Sequence, residues 1–280
     1  MIQVVGVHGV GNYRPGYSLD QAGDVLARIW AKALGSAIPA AKGTDPPIAV
    51  AYYADLLQRP GRQGNGHLDS LDAFELALAE EWLQEIAIPD AVSAGKATAP
   101  LRQALAWVAS SRKMGRPIVE WFVATFFREV ASYLRDEDGA IRTAARARVA
   151  DAIATHQPQV VIAHSLGSIV AYETLWADPG LTVDLLVTLG SPLALPHAVF
   201  HRLQPPPEAG RGCKPPGVRR WVNLADLGDL VALPPGGLER QFDGVERNRP
   251  KAQSIHVFDF HKAANYLATP ELHALLDACL

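Results

Sequence analysis

The chain has 280 residues, a formal net charge of −3 and an apolar fraction of 49%, enough to bury a sizeable core as one α/β domain. The weak negative charge, with no basic block and no aromatic-basic stripe, argues against nucleic acid as a main partner. No run of about eighteen apolar residues is present, so no transmembrane segment is expected.

Residues 2–7 read as a strand buried on both faces, leaving no room for a signal peptide before it. With Cys213 and Cys279 expected as reduced thiols, the expected location is the cytoplasm. The strand runs into His8-Gly9-Val10-Gly11-Asn12, a glycine-rich turn of the kind that aims backbone N–H groups into a site. Residues 18–34 show an amphipathic helix, with Leu19, Ala22, Leu26, Ile29, Trp30 and Ala33 on one stripe. A second strand, 48–53, follows the breaker Asp45-Pro46-Pro47.

Residues 56–134 interrupt the alternation of strand and helix. Three helical patterns, 68–88, 101–114 and 118–134, follow one another with no strand between them, which predicts an all-helical, lid- or cap-like insertion in a single domain spanning 1–280. The third pattern carries Val119, Phe122, Val123, Phe126, Val130 and Tyr133 at helical spacing. Alternation resumes with a helix over 138–156, a strand at 160–163 and a helix from Leu166. Strands at 183–189, 219–223 and 254–258 and a closing helix over 270–280 complete the pattern. Residues 204–217, rich in Pro and Gly, read as a mobile surface loop. About six strands, mostly joined by helices, predict a parallel doubly wound sheet.

The stretch Ala163-His164-Ser165-Leu166-Gly167 lies between a strand and a helix and fits the nucleophile-elbow pattern, with Ala in place of its first Gly. A serine on such a turn is strained, and its small neighbours two positions to either side let the backbone pack closely. A catalytic acid in a parallel sheet belongs just past a strand's carboxyl end. Asp226 and Asp229 both stand there after 219–223; Asp229, preceding Leu230-Val231, is the preferred acid and Asp226 the alternative. Histidine is the base that works near neutral pH. Of nine histidines, His261 directly follows the last predicted strand and has the address of a base. His8 and His164 lie within the two loop motifs, and His197 and His201, four apart, lack the glutamate of a zinc-binding helix.

The order Ser165, Asp229, His261 resembles that of the α/β-hydrolases, and within them the bacterial lipase/esterase-type serine hydrolases. Val7-His8-Gly9-Val10-Gly11 is similar to their V-H-G-x-G oxyanion loop, Ala163 to Gly167 to their A-H-S-x-G elbow, and Asp229-Leu230-Val231 to their D-x-V acid motif. His261 with Tyr266-Leu267 is similar to the histidine-tyrosine end of related lipases, at a longer spacing. The resemblance covers both ends and the middle of the chain but not residues 56–134. It implies an α/β-hydrolase sheet with Ser165 as nucleophile, His261 as general base, Asp229 as its orienter, and the backbone N–H groups of Val10 and Leu166 as oxyanion hole. It implies no cofactor and no metal. The expected function is cleavage of an apolar carboxylic ester through an acyl-enzyme. A thioesterase or acyltransferase acting on a carrier-bound acyl chain, or a non-catalytic binding protein on the same fold, are the alternatives. The insertion enters on the face that holds Ser165, so Phe122, Phe126 and Val130 are expected to form an acyl-binding wall.

Overall fold

Runs of β-branched and small apolar residues form the strands at the centre of the fold. The structure is a computed structural model that describes residues 3–38, 47–58, 68–85, 99–111, 115–226, 229–232, 237–246 and 262–280. Its strands are β1 (Val4–Val7), β2 (Ile48–Ala51), β3 (Val160–His164), β4 (Val183–Leu189), β5 (Gly212–Cys213), β6 (Val218–Leu224), β7 (Phe242–Asp243) and β8 (Val245–Glu246). Six of them make one sheet in the order β2-β1-β3-β4-β6-β8, and every neighbouring pair is parallel. β5 and β7 form a separate two-stranded piece. The register sets Val7 beside Ala163 and Ala163 beside Thr188, so the carboxyl ends of β1, β3 and β4 open onto one edge.

The helices are α1 (Leu19–Leu34), α2 (Ala73–Gln84), α3 (Ala99–Ser111), α4 (Arg116–Leu134), α5 (Ala140–His156), α6 (Leu166–Ala177), α7 (Gly237–Gln241), α8 (Ala263–Leu267) and α9 (Pro270–Asp277). They cover both faces of the sheet, as a doubly wound fold requires. On β3, Val160 and Ile162 point into a core shared with Leu26 and Trp30 of α1 and Leu272 and Leu276 of α9. Val161 and Ala163 point the other way, into a core built with α2 through α6. The predicted α/β class and parallel sheet are therefore present.

Differences from the sequence reading have local causes. The predicted helix at 68–88 is broken into a 3-10 turn, Leu68–Ser70, and α2, because Asp72 caps the helix in a reciprocal box with Glu75. The predicted strand at 254–258 lies outside the described residues, and the sixth strand of the described sheet is β8, too short to show a period of two. The segment 204–217 is tied down rather than mobile. The Gln204 N–H donates to Glu173, Glu208 and Arg211 form a backbone bridge, and Gly212–Cys213 pairs with β7. Proline and glycine disfavour long elements there without preventing these contacts.

The helical insertion does not stand apart. Trp82, Leu105 and Phe127 pack in the same core as Val161 of the sheet. A buried Arg142–Glu173 ion pair locks α5 to α6, and the Tyr133 hydroxyl of α4 donates to the same carboxylate at 2.7 Å. Among the described residues no helix is long and apolar enough to cross a membrane.

Candidate active site

β3 ends at His164 and α6 begins at Leu166, so the whole reversal falls on Ser165, at φ 54° and ψ −128°. Such a backbone costs a non-glycine residue on the order of 1–3 kcal/mol. It is held by the Ser165 N–H bonded to the Leu189 carbonyl at 3.0 Å, and by the Ser165 carbonyl, which accepts from the Ser168 N–H at 2.9 Å and the Ser168 hydroxyl at 2.6 Å. Ser191 meets the Ser168 hydroxyl at 2.7 Å and continues the network into the loop after β4. Two glycines let the loops approach. A Cβ at Gly167 would overlap the Val7 carbonyl oxygen, and one at Gly9 would stand 2.6 Å from the Ser165 Cβ. The turn after β1 is thus pressed directly against Ser165.

That turn is fixed from below and from above. His8, fully buried, stacks on Tyr53 with centroids 4.2 Å apart. Its Nε2 accepts the Tyr53 N–H at 3.2 Å, which leaves Nδ1 to donate to the Gly9 carbonyl at 2.9 Å. Burial lowers its pKa from 6.5 to about 4, so the ring is neutral at pH 7. The Tyr53 hydroxyl donates to the His8 carbonyl, and the Asn12 amide donates to the carbonyls of Gly9 and Val10 at 2.9 and 3.1 Å. From above, the Gly11 N–H donates to Glu129 Oε2 at 3.1 Å. Glu129 projects from α4 and is 5% exposed; burial raises its pKa to about 7, against the opposing pull of Gly11, Gln58 and Arg128. The Leu166 N–H lies in the first turn of α6, where N–H groups have no intrahelical acceptor and the helix dipole is positive.

In the loop after β6, Asp229 is 1% exposed. Its Oδ1 accepts the Val231 N–H at 2.8 Å and its Oδ2 accepts the Tyr266 hydroxyl at 2.7 Å. The same phenol oxygen accepts the Asp226 N–H at 3.1 Å, and the Asp226 carbonyl accepts the Asp229 N–H at 3.0 Å. Burial and the Asp229 charge push the Tyr266 phenol well above its ordinary range. Trp82 of α2 donates its indole N–H to the Leu230 carbonyl at 2.6 Å, so the insertion touches this loop as well as the turn after β1. His261 lies outside the described residues; Lys262, next to it in sequence, lines the cleft described below.

A cleft of about 410 Å³ opens beside the turn. Val10, Gly11, Asn12 and His164 line it together with Ile29 and Trp30 of α1, Ile118, Trp121 and Phe122 of α4, and Lys262 to Ala264. Of the three expected wall residues, Phe122 lines this cleft, whereas Phe126 and Val130, 1% and 0% exposed, are packed in the core. The Phe126 ring meets Phe127 edge-on at 5.0 Å. Ser165 is itself fully buried; its sequence neighbour His164 lines the cleft, and Ser165 is not among the cleft's lining residues.

The sequence reading did not single out Glu129, Ile118 or the role of Tyr266 on Asp229. A signal for Glu129 existed: it stands seven positions after Phe122, a charge on an apolar helical stripe. Among the described residues no three His, Cys, Asp or Glu side chains converge as a metal site. No family model, curated protein or solved structure matches the chain.

Proposed function

We propose that the protein is a serine hydrolase of the α/β-hydrolase type that cleaves an apolar carboxylic ester. The observation that carries this reading is Ser165 itself. It is a non-glycine residue held at positive φ between a parallel strand and a helix, with Gly9 packed against it and Gly167 packed against the end of β1. Strain of this kind, held by surrounding contacts, is a mark of functional sites.

In this reading Ser165 Oγ attacks the ester carbonyl while His261 takes its proton. Asp229 orients the imidazole and stabilises its charged form. The carbonyl oxygen becomes an oxyanion that receives the N–H groups of Val10 and Leu166, each donor worth about 3 kcal/mol of barrier. The tetrahedral species collapses, His261 protonates the departing alcohol, and water then releases the acid by the same steps. The anchoring of Asp229 by Val231 and Tyr266 supports its role as the orienting acid. The fixed turn around Val10 supports a preorganised donor.

Labelling by a fluorophosphonate, which reacts only with an activated serine, is the direct test. Wild-type protein is expected to take up one equivalent, and Ser165→Ala is expected to lose both labelling and ester turnover while keeping its far-UV spectrum. Turnover retained in the pure variant would sink the assignment.

A further inference from the structure

Three of the five large apolar side chains that are exposed among the described residues surround one opening. Ile29, Ile118 and Trp121, at 44%, 57% and 53% exposure, all line the cleft beside Val10. Trp30 and Phe122 carry the apolar lining inward. Its charged lining is of one sign. Arg14 and Lys262 face the cleft, and no carboxylate is among its described lining residues, on a chain whose net charge is −3. Arg14 is anchored through its backbone, which donates to the Tyr52 hydroxyl at 3.0 Å, while its Nε is buried and meets no acceptor among the described residues. A buried guanidinium nitrogen without an acceptor, at the wall of a partly apolar cleft, favours an anion that can supply one. The volume of about 410 Å³ is that of a site for one small molecule rather than for a lipid surface.

We infer that the cleft binds a single-chain anionic amphiphile, the alkyl chain lying on Trp30, Trp121, Ile118 and Phe122 and the anionic group meeting Arg14 and Lys262. Its use as the substrate site rests on the hydrolase reading, and the substrate is then an acyl ester that carries a carboxylate or phosphate in addition to its apolar chain. Binding of the amphiphile does not depend on that reading. The two parts can therefore fail separately.

The experiment is a tryptophan-fluorescence titration at pH 7.5, below micelle formation, with decanoate, decyl phosphate, 1-decanol and decyltrimethylammonium. Wild-type protein, Arg14→Ala, Arg14→Gln and Trp121→Phe are compared. Decanoate or decyl phosphate is expected to saturate at about tenfold lower concentration than the neutral and cationic chains. The comparison of the first two tells which anion is preferred. Both Arg14 variants are expected to remove that preference while leaving decanol binding unchanged, and Trp121→Phe to remove most of the signal. Equal binding of all four ligands, or anion preference surviving in both Arg14 variants, would overturn the inference. So would binding to phosphatidylglycerol vesicles with none to the dissolved ligands. A parallel assay compares the 4-nitrophenyl esters of octanoic acid and of suberic acid, the latter with a free terminal carboxylate. Anion-selective binding without turnover of either ester or fluorophosphonate labelling counts against the hydrolase reading alone. Labelling of Ser165 without anion-selective binding counts against this inference alone.

Discussion

Ser165 holds its backbone conformation through bonds to Ser168 and Leu189 and the close approach of the turn after β1. Glycine at positions 9 and 167 gives the loops room, and Ser168 and Leu189 occupy its carbonyl and its N–H. Asp229 is held in a comparable way, by one backbone and one phenol donor. In the proposed mechanism Asp229 and not Asp226 is the orienting acid. Asp229→Asn is expected to lower kcat by about 10⁴, as an amide there favours the wrong histidine tautomer, whereas Asp226→Asn is expected to change it by a few-fold at most. Steady-state turnover of a 4-nitrophenyl ester separates the two. A crippled Asp226→Asn beside an active Asp229→Asn would exchange their roles.

At the scale of elements, the insertion fastens the turn after β1, which packs on Ser165, and the loop that holds Asp229. α2 bonds the loop after Asp229 through Trp82, and α4 bonds the turn after β1 through Glu129. Its aromatic stripe divides between two tasks. Phe122 faces the cleft, while Phe126 is closed into the core against Phe127. Phe126→Ala is thus expected to cost about 3–5 kcal/mol in urea unfolding and to leave the dependence of kcat/KM on acyl-chain length unchanged. A flattened chain-length profile at full stability would return Phe126 to the substrate.

The same division marks what the sequence made legible. The strands around Ser165 and the glycines of the two turns are local patterns, carried by residues within a few positions of one another, and the strand bounds agree to within a residue or two. The contacts that fasten the site were not legible. Trp82 and Leu230 are 148 positions apart, and Gly11 and Glu129 are 118 apart, so nothing in periodicity links them. Glu129 stood out only as a charge on an apolar stripe, and a stripe alone does not tell which loop it will meet. Likewise the helical spacing of Phe122 and Phe126 placed them on one face without saying where along the helix the core ends and the cleft begins.

For the molecule as a whole, His8 and Glu129 press on one turn from opposite sides, and burial drives both toward neutrality. The folded pKa of His8 is lowered from 6.5 to about 4, so its contribution to stability is full above 6.5 and is lost as pH falls toward 4. The folded pKa of Glu129 is raised from 4.5 to about 7, so its contribution is full below 4.5 and is lost as pH rises through 7. That second displacement corresponds to roughly 3 kcal/mol. Glu129→Gln, which keeps an acceptor for the Gly11 N–H and cannot ionise, is expected to gain stability relative to wild type as pH rises from about 5 to 8, by up to that amount. Urea unfolding across this range measures it, and a difference independent of pH would show that Glu129 does not titrate there.

Between the two windows the pair has a thermochemical signature. At about pH 5.5 the unfolded chain carries a proton on His8 and none on Glu129, and the folded chain carries the reverse. One imidazole gives up a proton and one carboxyl takes one up, so this turn exchanges none with the solvent as it forms. Its share of the heat of unfolding is then the same in a buffer with a large ionisation enthalpy, such as histidine, as in acetate. With Gln at 129 the exchange no longer balances, and the same pair of buffers should differ by the heat of about one proton.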